Sequence, residues 1–376
     1  LGYQNLVSMV FKLMRFRDEW MRVGKAGKKS NDILEDKIEP LHLVLIEEPE
    51  AHLHAQVQQV FTRKAYSVLR NHSNLNTSTK FNTQLLISTH SSHIAHEIDF
   101  TSLRYFRKKQ ATSSKEVPSA TIVNLSQTFG KEDQTMKFAN RYLKTTHCDL
   151  FFADAVILIE GASERMLIPH FIKKYHPDLS SCYISFLEIG GSHAHRLKPL
   201  IDDLGILTLI ITDLDSVDPS NNNSSVLPEK QKKYITGNST LKKWLPRKDS
   251  FDELIDIKDE KKVCNNSLVR VAYQQPIDIA VNKQVVQVIP YTFEDSLAFD
   301  NIDLFKKLSG TGLISDFKTA LEKTDINDSR KEIYESLRKN GSKKKAEFAL
   351  ELLFIQDPDN LKTPKYIKTG LKWLHN

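Results

Sequence analysis

ILIEGASE at residues 157–164 and LIITDLD at residues 209–215 each join an apolar run to two acidic residues. The four acids are Glu160, Glu164, Asp213 and Asp215. Because the carboxyl ends of parallel strands meet at one edge of a sheet, we expect these side chains to lie close together. Carboxylates held close together repel one another strongly unless a divalent cation lies between them. The two stretches therefore predict a Mg²⁺ site suited to phosphate chemistry.

The residues around these acids alternate between strand and helix patterns. We predict strands over 156–159, 183–187 and 206–211, with helices over 164–174 and 194–204 between them. This alternation predicts a parallel sheet in a domain of the α/β class. Each acid alone would also fit an ordinary loop or a helix start, but their combination at strand ends favours a metal site.

Another acidic pair ends an apolar run nearer the start of the chain. LVLIEEP at residues 43–49 predicts a buried strand that ends in Glu47 and Glu48, with a helix over 52–69 after it. A further strand, over 84–88, ends in the residues THSS. Glu-Glu-Pro alone would also fit the acidic first turn of a helix. The strand before it and the later THSS favour a nucleotide-binding site.

No stretch of the chain has the spacing of a phosphate loop. GKAGKKS at residues 24–30 resembles one by composition, but it lacks the G-x-x-x-x-G-K-[ST] spacing that lets backbone amides hold phosphates. The chain opens with LGYQN at residues 1–5 and has no initiator Met. We therefore expect an N-terminal part that carries the phosphate loop to be missing, and we expect this chain alone not to hydrolyse ATP.

Composition sets wider bounds on the class of protein. The 376 residues, 40% of them apolar, are enough for two domains. The formal charge of +6 and the pI near 8.9 are compatible with a polyanionic partner. The three cysteines lack metal-ligand or disulfide spacing, and no apolar run reaches the ~18 residues of a membrane span. We expect a cytoplasmic protein with no membrane partner.

The first acidic pair resembles the ABC-type ATPase family, in which an apolar strand ends in two acids followed by Pro. The resemblance implies that Glu47 holds the Mg²⁺ of bound ATP through water, that Glu48 polarises the attacking water, and that His90 contacts the γ-phosphate. AHLH at residues 51–54 stands where the D-loop of that family follows, and residues 1–5 resemble the signature motif that reaches the nucleotide of a partner subunit. Glu47 departs from the more usual Asp, as in relatives of the SMC and recombination-ATPase kind.

The later acids resemble those of the Toprim domain, which topoisomerases, primases and a nuclease family share. Its hallmarks are a Glu after the first strand and Asp-x-Asp after the third, which Glu160, Asp213 and Asp215 match. An ABC-type ATPase followed by Toprim resembles the OLD (overcoming lysogenisation defect) family of ATP-dependent endonucleases. That family includes the nuclease subunit of the Gabija defence system and retron-associated nucleases.

The resemblance to the OLD family implies further site residues. Glu164 follows the first Glu by four residues, as in that family, and an acid downstream completes a second metal site. Glu294, at the start of a predicted helix, is the best match, and Asp295 is the alternative. The family also uses a Lys shortly before Phe-Ala, which Lys345 matches. Without the resemblance, Glu294 would also fit a helix-start acid and Lys345 a solvated helix face.

The resemblance also implies how the whole chain is organised. It implies an α/β chain in which residues 1–126 are the C-terminal half of an ABC-type ATPase domain. Residues 127–153, including a predicted helix over 135–146, would form a linker. Residues 154–376 would be a Toprim nuclease domain with a central parallel sheet and a helical C-terminal extension.

The implied activity is nicking or cleavage of duplex DNA by a two-metal site that uses Mg²⁺ or Mn²⁺, regulated by ATP and used in antiviral defence. The implied partners are DNA, ATP with Mg²⁺, and further copies in a dimer or larger homo-oligomer. A defence-system protein such as a helicase or a retron complex is a further implied partner. The alternative function is an ATP-gated clamp or regulatory subunit that binds nucleic acid without cleaving it.

Two further features leave alternatives open. His193 and His195 fit a surface or DNA-facing loop better than a pair of metal ligands. The basic stretch over 230–248 contains Tyr234 and Trp244. It fits either an element that tracks phosphates and stacks on bases, or a solvated loop with Trp244 in the core.

Overall fold

The computed structural model describes residues 2–23, 38–51, 53–73, 75, 80–109, 111, 113, 115–128, 137, 142–143, 148–190, 192–264, 267–281, 284–339, 342–354 and 360–375. The chain divides into two compact units, Leu1–Phe152 and Ala153–Asn376. Within the described residues, no helix is both long enough and apolar enough to cross a membrane.

The first unit is an α/β arrangement around two parallel strands. Its elements are α1 (Gly2–Trp20), β1 (Leu41–Glu47), α2 (Ala55–Arg70), β2 (Asn82–Ser88), α3 (Ser92–Glu97), β3 (Arg104–Lys109) and β4 (Ser119–Asn124), with 3₁₀ turns at Phe100–Ser102, Leu125–Gln127 and Cys148–Phe152. β1 and β2 pair in parallel, so that Glu47 lies opposite Ser88 at their carboxyl ends. β3 and β4 form an antiparallel hairpin. The register of β1 and β2 brings the two predicted nucleotide motifs to the same edge.

One face of this strand pair is packed and the other is exposed. Leu13 of α1, Val44 of β1 and Phe61 of α2 belong to one buried cluster. On the opposite face, Leu43 is 48% and Leu45 71% exposed. Strands of parallel sheets are normally covered on both faces, which is why their sequences are continuously apolar. Among the residues that the structure describes in this unit, the apolar run of β1 therefore has a covering partner on one side only.

The loop after β1 differs from the predicted helix start. The predicted helix over 52–69 begins instead at Ala55, because backbone hydrogen bonds from Ala51 to Glu48 (3.1 Å) and from Leu53 to Glu50 (2.9 Å) form turns first. The GKAGKKS stretch and most of the predicted helix over 135–146 lie outside the described residues.

The second unit is built on a four-stranded parallel sheet. Its first part contains β5 (Ala155–Ile159), α4 (Ala162–Tyr175), α5 (Pro177–Ser180), β6 (Ile184–Glu188), α6 (Lys198–Leu204), β7 (Leu207–Ile211), β8 (Ser216–Asp218), β9 (Ser224–Ser225), β10 (Ile235–Thr236), α7 (Ser239–Lys243), α8 (Phe251–Asp256) and β11 (Val269–Ala272). The sheet order is β11–β7–β5–β6, with every pair parallel. All five residues of β5 are buried, as expected for a central strand covered on both faces.

The remainder of this unit is mainly helical. It comprises the hairpin β12 (Ile277–Val281) and β13 (Gln284–Val288), followed by α9 (Phe293–Asp300), α10 (Ile302–Phe305), α11 (Gly312–Leu321), α12 (Ile326–Lys339), α13 (Ser342–Phe354) and α14 (Lys365–His375). α13 packs against α4, and α14 packs on β7 and β11. A Cβ atom at Gly370 of α14 would lie 2.9 Å from a methyl carbon of Leu209. Glycine at this position lets the last helix approach the sheet closely.

The predicted elements of the sheet agree with the structure, with small shifts at their ends. The predicted helix over 194–204 begins as a 3₁₀ turn at Ala194–Leu197 and continues as α6. The prediction of an α/β chain with a central parallel sheet is confirmed.

Candidate active site

The sheet brings three of the predicted acids to its carboxyl edge. Glu160 directly follows β5, and Asp213 lies two residues beyond β7, which is paired with β5. Asp215 follows two residues later, and Glu164 lies in the first turn of α4. Glu164 is 5% exposed and Asp213 is 6% exposed, so their charges are removed from bulk water. Adjacent parallel strands thus explain why acids distant in sequence form one cluster.

Glu160 is fixed through a single carboxylate oxygen. Its Oε1 accepts a short hydrogen bond from the hydroxyl of Thr212 and another from the backbone N–H of Asp213 at 3.1 Å. The side-chain amide of Asn238 donates to the same oxygen at 3.1 Å. These contacts tie the loop after β5 to the loop after β7.

Asp213 is held by a buried glutamine from a neighbouring strand. Gln274 lies just beyond β11, and its Nε2 donates to Asp213 Oδ1 at 2.5 Å. The Oε1 of Gln274 accepts the backbone N–H of Leu214 at 2.9 Å. The side chain of Gln274 therefore fixes both the carboxylate and the backbone of the Asp-x-Asp loop.

Asp215 has a backbone conformation that is unusual for a non-glycine residue. Its φ of +49° lies in the left-handed region, and its carbonyl accepts the N–H of Gly237 at 2.6 Å. A Cβ atom at Gly237 would lie 3.2 Å from that carbonyl oxygen. Non-glycine residues with positive φ cost ~1–3 kcal/mol and cluster at functional sites. The backbone conformation places Asp215 at the end of the sheet next to the other acids.

Glu294 forms an ion pair with Lys345. The two charged groups are 2.8 Å apart, and the Glu294 carboxylate also accepts the hydroxyl of Thr292 at 2.8 Å. Asp295, the alternative, instead accepts the backbone N–H groups of Tyr291 and Thr292 and forms a capping box at the start of α9. Of the two neighbouring acids, Glu294 is the one paired with the predicted lysine, and Asp295 stabilises the helix.

Burial and mutual repulsion shift the ionisation of this cluster. Burial, followed by the charge of Glu294, raises the pKa of Glu164 to about 8. Burial and the charge of Glu160 raise the pKa of Asp215 to about 7. Burial also raises the pKa of Asp213 well above its ordinary value and raises that of Glu160. Without an added cation, the site therefore favours protonated carboxyls.

Lys345 supplies the positive charge in this cluster. Although burial disfavours its ammonium form, the charges of Glu294 and Asp213 outweigh burial and raise the pKa of Lys345. Burial likewise opposes ionisation of Glu294, but Lys345 and the Thr292 hydroxyl outweigh it and lower the pKa of Glu294. Glu294 and Lys345 thus form a stable ion pair next to acids whose raised pKa values favour their protonated forms.

The chemistry of these side chains fits a divalent cation. Carboxylate oxygens are the ligands that Mg²⁺ and Mn²⁺ prefer, and here they converge at one buried edge of a sheet. In the part of the chain that the structure describes, no three His, Cys, Asp or Glu side chains are already arranged to hold a metal ion. The fit is therefore one of donor type and of location at the same sheet edge.

The first unit brings together two of its three predicted nucleotide-site residues. His90 Nε2 lies 3.4 Å from Glu48 Oε1, and both side chains are largely exposed. Glu47, the last residue of β1, is exposed at the same strand end. Glu48 has a positive φ of +43°, which turns the chain sharply after the strand. The parallel register of β1 and β2 accounts for this placement.

Two residues that the motifs did not indicate support this edge. Glu50 accepts hydrogen bonds from the Thr89 hydroxyl at 2.8 Å and from the His90 backbone N–H at 2.6 Å. Gln58 donates to the Leu53 carbonyl at 2.8 Å and accepts the Ser91 hydroxyl at 2.6 Å. The contacts with Thr89, His90 and Ser91 span 33 to 40 residues of sequence, so local spacing gave no sign of them.

The structure also decides one of the open alternatives. Trp244 is 4% exposed, which supports its place in the core rather than a role in base stacking. His195 Nδ1 lies 3.1 Å from the Ser192 carbonyl oxygen, and the rings of His193 and His195 are 6.4 Å apart.

The fold and the site define an α/β protein with a Toprim domain and an ATPase domain. Residues 151–215 match the family model described as "Overcoming lysogenization defect protein-like, TOPRIM domain", and residues 1–95 match an AAA ATPase domain. The predicted resemblance to the OLD family is confirmed.

The chain is also similar to curated bacterial nucleases. It is 29% identical to "Endonuclease GajA" of Bacillus cereus strain HuB5-5 over 391 residues, which cover 100% of this chain and 52% of that protein. It is 30% identical to the GajA of strain VD045 over 186 residues, covering 48% and 27%. It is 26% identical to the "OLD nuclease" of Thermus scotoductus over 158 residues, covering 41% and 27%. The chain thus spans about half the length of the first relative and about a quarter of the length of each of the other two.

Among solved structures, the chain is similar to the C-terminal region of the Burkholderia pseudomallei OLD protein. The sequence identity is 21%, and the match covers 60% of this chain and 98% of that one with a TM-score of 0.33.

Proposed function

We propose that this chain is a DNA endonuclease that requires Mg²⁺ or Mn²⁺ and is regulated by its ATPase domain. The observation that carries this proposal is the convergence of four acids at the sheet edge, next to the Lys345–Glu294 ion pair. Glu164 and Asp213 are buried there, and Glu160 and Asp215 are half-buried. Burying a group of acids destabilises a protein because each charge loses its hydration, and a bound cation would offset that cost. Phosphodiester hydrolysis with divalent cations gives this cluster such a function.

The acids divide naturally into two sets of ligands. Glu160, Asp213 and Asp215, on the loops after β5 and β7, would hold one cation, and Glu164 and Glu294, on α4 and α9, would complete a second site. Bound cations would supply an activated water and a counter-charge for the leaving oxygen.

Lys345 would act on the phosphate itself. Its ammonium is fixed by the ion pair with Glu294, so it needs little reorganisation to stabilise charge on the phosphoryl oxygens. Hydrolysis is therefore the reaction that we propose.

The first unit would bind ATP with Mg²⁺. Glu47 would hold the cation through water, Glu48 would orient the attacking water, and His90 would contact the γ-phosphate. The 3.4 Å separation of His90 and Glu48 supports this assignment. Because such sites are completed by a second subunit, we propose a homodimer or larger homo-oligomer. We also propose a cytoplasmic role in antiviral defence, with a partner protein such as a helicase. The similarity to an endonuclease supports the cleavage activity in this proposal.

A plasmid assay separates the endonuclease from the alternative of a non-cleaving clamp. The purified chain is incubated with supercoiled plasmid in Mn²⁺, in Mg²⁺ and in EDTA, and DNA binding is measured in parallel by gel shift. We expect nicked or linear plasmid with either metal and none in EDTA. Binding of DNA without any cleavage in either metal would instead support the clamp.

A further inference from the structure

Two fully buried amides stand directly behind the acidic cluster. Asn238 and Gln274 are both 0% exposed, and each contacts a carboxylate of the proposed metal site. Neither belongs to a motif that the sequence suggested. Buried amides need hydrogen bonds for both their nitrogen and their oxygen, so their contacts determine their orientation.

The orientation of Asn238 is set by the helix that it caps. Its Oδ1 accepts the backbone N–H groups of Thr240 at 2.9 Å and Leu241 at 3.3 Å, at the start of α7. Only an oxygen can accept these donors, so Nδ2 must face the active site. There it lies 2.7 Å from the Thr212 hydroxyl, 2.8 Å from the Asp213 carbonyl oxygen and 3.1 Å from Glu160 Oε1. The cap thus fixes a donor against Glu160.

The orientation of Gln274 follows from the same reasoning. Its Oε1 accepts the N–H of Leu214 at 2.9 Å, so its Nε2 must be the atom that faces Asp213 Oδ1. The hydroxyl of Tyr366 lies 3.5 Å from the same Nε2. Gln274 therefore joins the Asp-x-Asp loop to the strand beside it.

In both carboxylates, these contacts distinguish one oxygen, which accepts hydrogen bonds from the protein, from the other. Glu160 Oε1 accepts from three donors, and Asp213 Oδ1 accepts from Gln274. The hydrogen bonds described for these two carboxylates all fall on those oxygens, which leaves Oε2 of Glu160 and Oδ2 of Asp213 for other ligands. Both amides are neutral, so they orient the carboxylates without bringing a positive charge that would compete with a cation.

We propose that Asn238 and Gln274 are positioning residues, which hold one oxygen of Glu160 and of Asp213 so that the other oxygen binds a divalent cation. This inference rests on the proposed metal-dependent function of the same site. Outer residues of this kind typically change metal affinity or activity by ~10–100-fold when they are replaced. The two amides would therefore set the metal affinity of the site without touching the metal.

The test uses two variants that keep the size or the cap of the original residue. Gln274→Met has a similar shape and removes the donor, and Asn238→Ser keeps an oxygen that can cap α7 but cannot reach Glu160. Mn²⁺ affinity is measured by isothermal titration calorimetry, and thermal unfolding is measured in EDTA. We expect each variant to bind Mn²⁺ ~10–100-fold more weakly than the unmodified chain.

A matched control separates positioning from general stability. Asn301 is another buried amide, and it bonds only to backbone groups, donating to the Leu297 and Lys362 carbonyls and accepting the Lys362 N–H. Asn301→Ala should lower the unfolding temperature and leave Mn²⁺ affinity unchanged.

The outcomes distinguish this inference from the proposed function. Mn²⁺ binding and cleavage by the unmodified chain, with weaker Mn²⁺ binding by folded Gln274→Met and Asn238→Ser, support positioning. If both variants fold and bind Mn²⁺ as tightly as the unmodified chain does, the positioning role is wrong and the proposed endonuclease function still stands. If only one variant folds, its affinity decides the question for that residue and its carboxylate. Absence of Mn²⁺ binding by the unmodified chain overturns the proposed function itself.

Discussion

At the scale of single residues, the site holds several acids at positions where burial disfavours their charged forms. Glu164, Asp213 and Glu294 are each at least nine-tenths buried, yet Lys345 is the cation that the structure places among them. Such an arrangement destabilises the metal-free fold when all the acids are ionised. A divalent cation would relieve this repulsion, so the stability of the protein should report on the site.

The raised pKa values of these acids make the stability of the folded protein depend on pH. The pKa of Asp215 is about 7 and that of Glu164 about 8, against ~4 in an unfolded chain. Between these values the folded state holds protons that the unfolded state has released, so stability falls as pH rises. The contribution of the protonated acids to folding stability is fully present below pH ~4 and is lost as the pH rises through 7 to 8.

We therefore expect the unfolding temperature in EDTA to fall between pH 5 and pH 9. Glu164→Gln, which cannot ionise, should show a smaller fall, and saturating Mn²⁺ should reduce the fall in the unmodified chain. Thermal scans across this range measure the effect. An unfolding temperature in EDTA that rises over the same range would show that burial and mutual repulsion do not raise the pKa values of these acids in the folded state.

Lys345 allows a second test at this scale. Lys345→Ala removes a half-buried cation that contacts Glu294, whereas Lys344→Ala removes an exposed neighbour on the same helix. We expect Lys345→Ala to slow plasmid cleavage by on the order of 10²–10³-fold, as for loss of one transition-state contact. Lys344→Ala should cleave at the original rate. Equal rates for the two variants would make Lys345 part of a solvated helix face.

At the scale of elements, the close contact of α14 with the sheet is the most sensitive feature. Gly370 leaves no room for a side chain beside Leu209 and Ala272, where a Cβ atom would lie 2.9 and 3.3 Å from them. Gly370→Val should therefore lower the free energy of unfolding by ~1–3 kcal/mol, the usual cost of overpacking a core. Urea unfolding measures this change. A matched substitution, Thr369→Val, lies at a half-buried position of the same helix and should change stability much less.

The elements also show which parts of the fold the sequence could predict. The strands of the parallel sheet are continuous apolar runs, so β5 and β7 were found to within a residue or so at each end. The acids that follow them were found because strand ends are close in sequence to the strands.

The residues that support the site could not be found in the same way. Asn238 and Gln274 contact acids that are tens of residues away in the chain, and isolated polar residues have no periodic pattern. Their only local signal is the position of Asn238 before a short helix, where an N-cap residue is common. Tertiary contacts, rather than propensity, determine their role.

At the scale of the whole molecule, the ATPase and the nuclease assignments can be tested separately. When this chain is joined to a segment that supplies a phosphate loop, Glu48→Gln should abolish ATP turnover and preserve ATP binding. This follows because the amide can no longer polarise water but leaves the nucleotide contacts intact. Phosphate release and binding of a fluorescent ATP analogue measure the two effects. Undiminished turnover by Glu48→Gln would remove Glu48 from the catalytic assignment.

Cleavage by the Asp213→Ala protein is the most direct test of the metal-dependent nuclease. Purified Asp213→Ala and the surface control Asp303→Ala are compared with the unmodified chain on supercoiled plasmid in Mn²⁺, and thermal unfolding is recorded with and without the metal. Asp213→Ala should cleave no plasmid, keep or increase its metal-free stability because repulsion is relieved, and gain less stability from Mn²⁺. Asp303→Ala should match the unmodified chain in every measurement. Undiminished nicking by Asp213→Ala, purified free of contaminating nuclease, would contradict the assignment of this acidic cluster as a metal-dependent nuclease site.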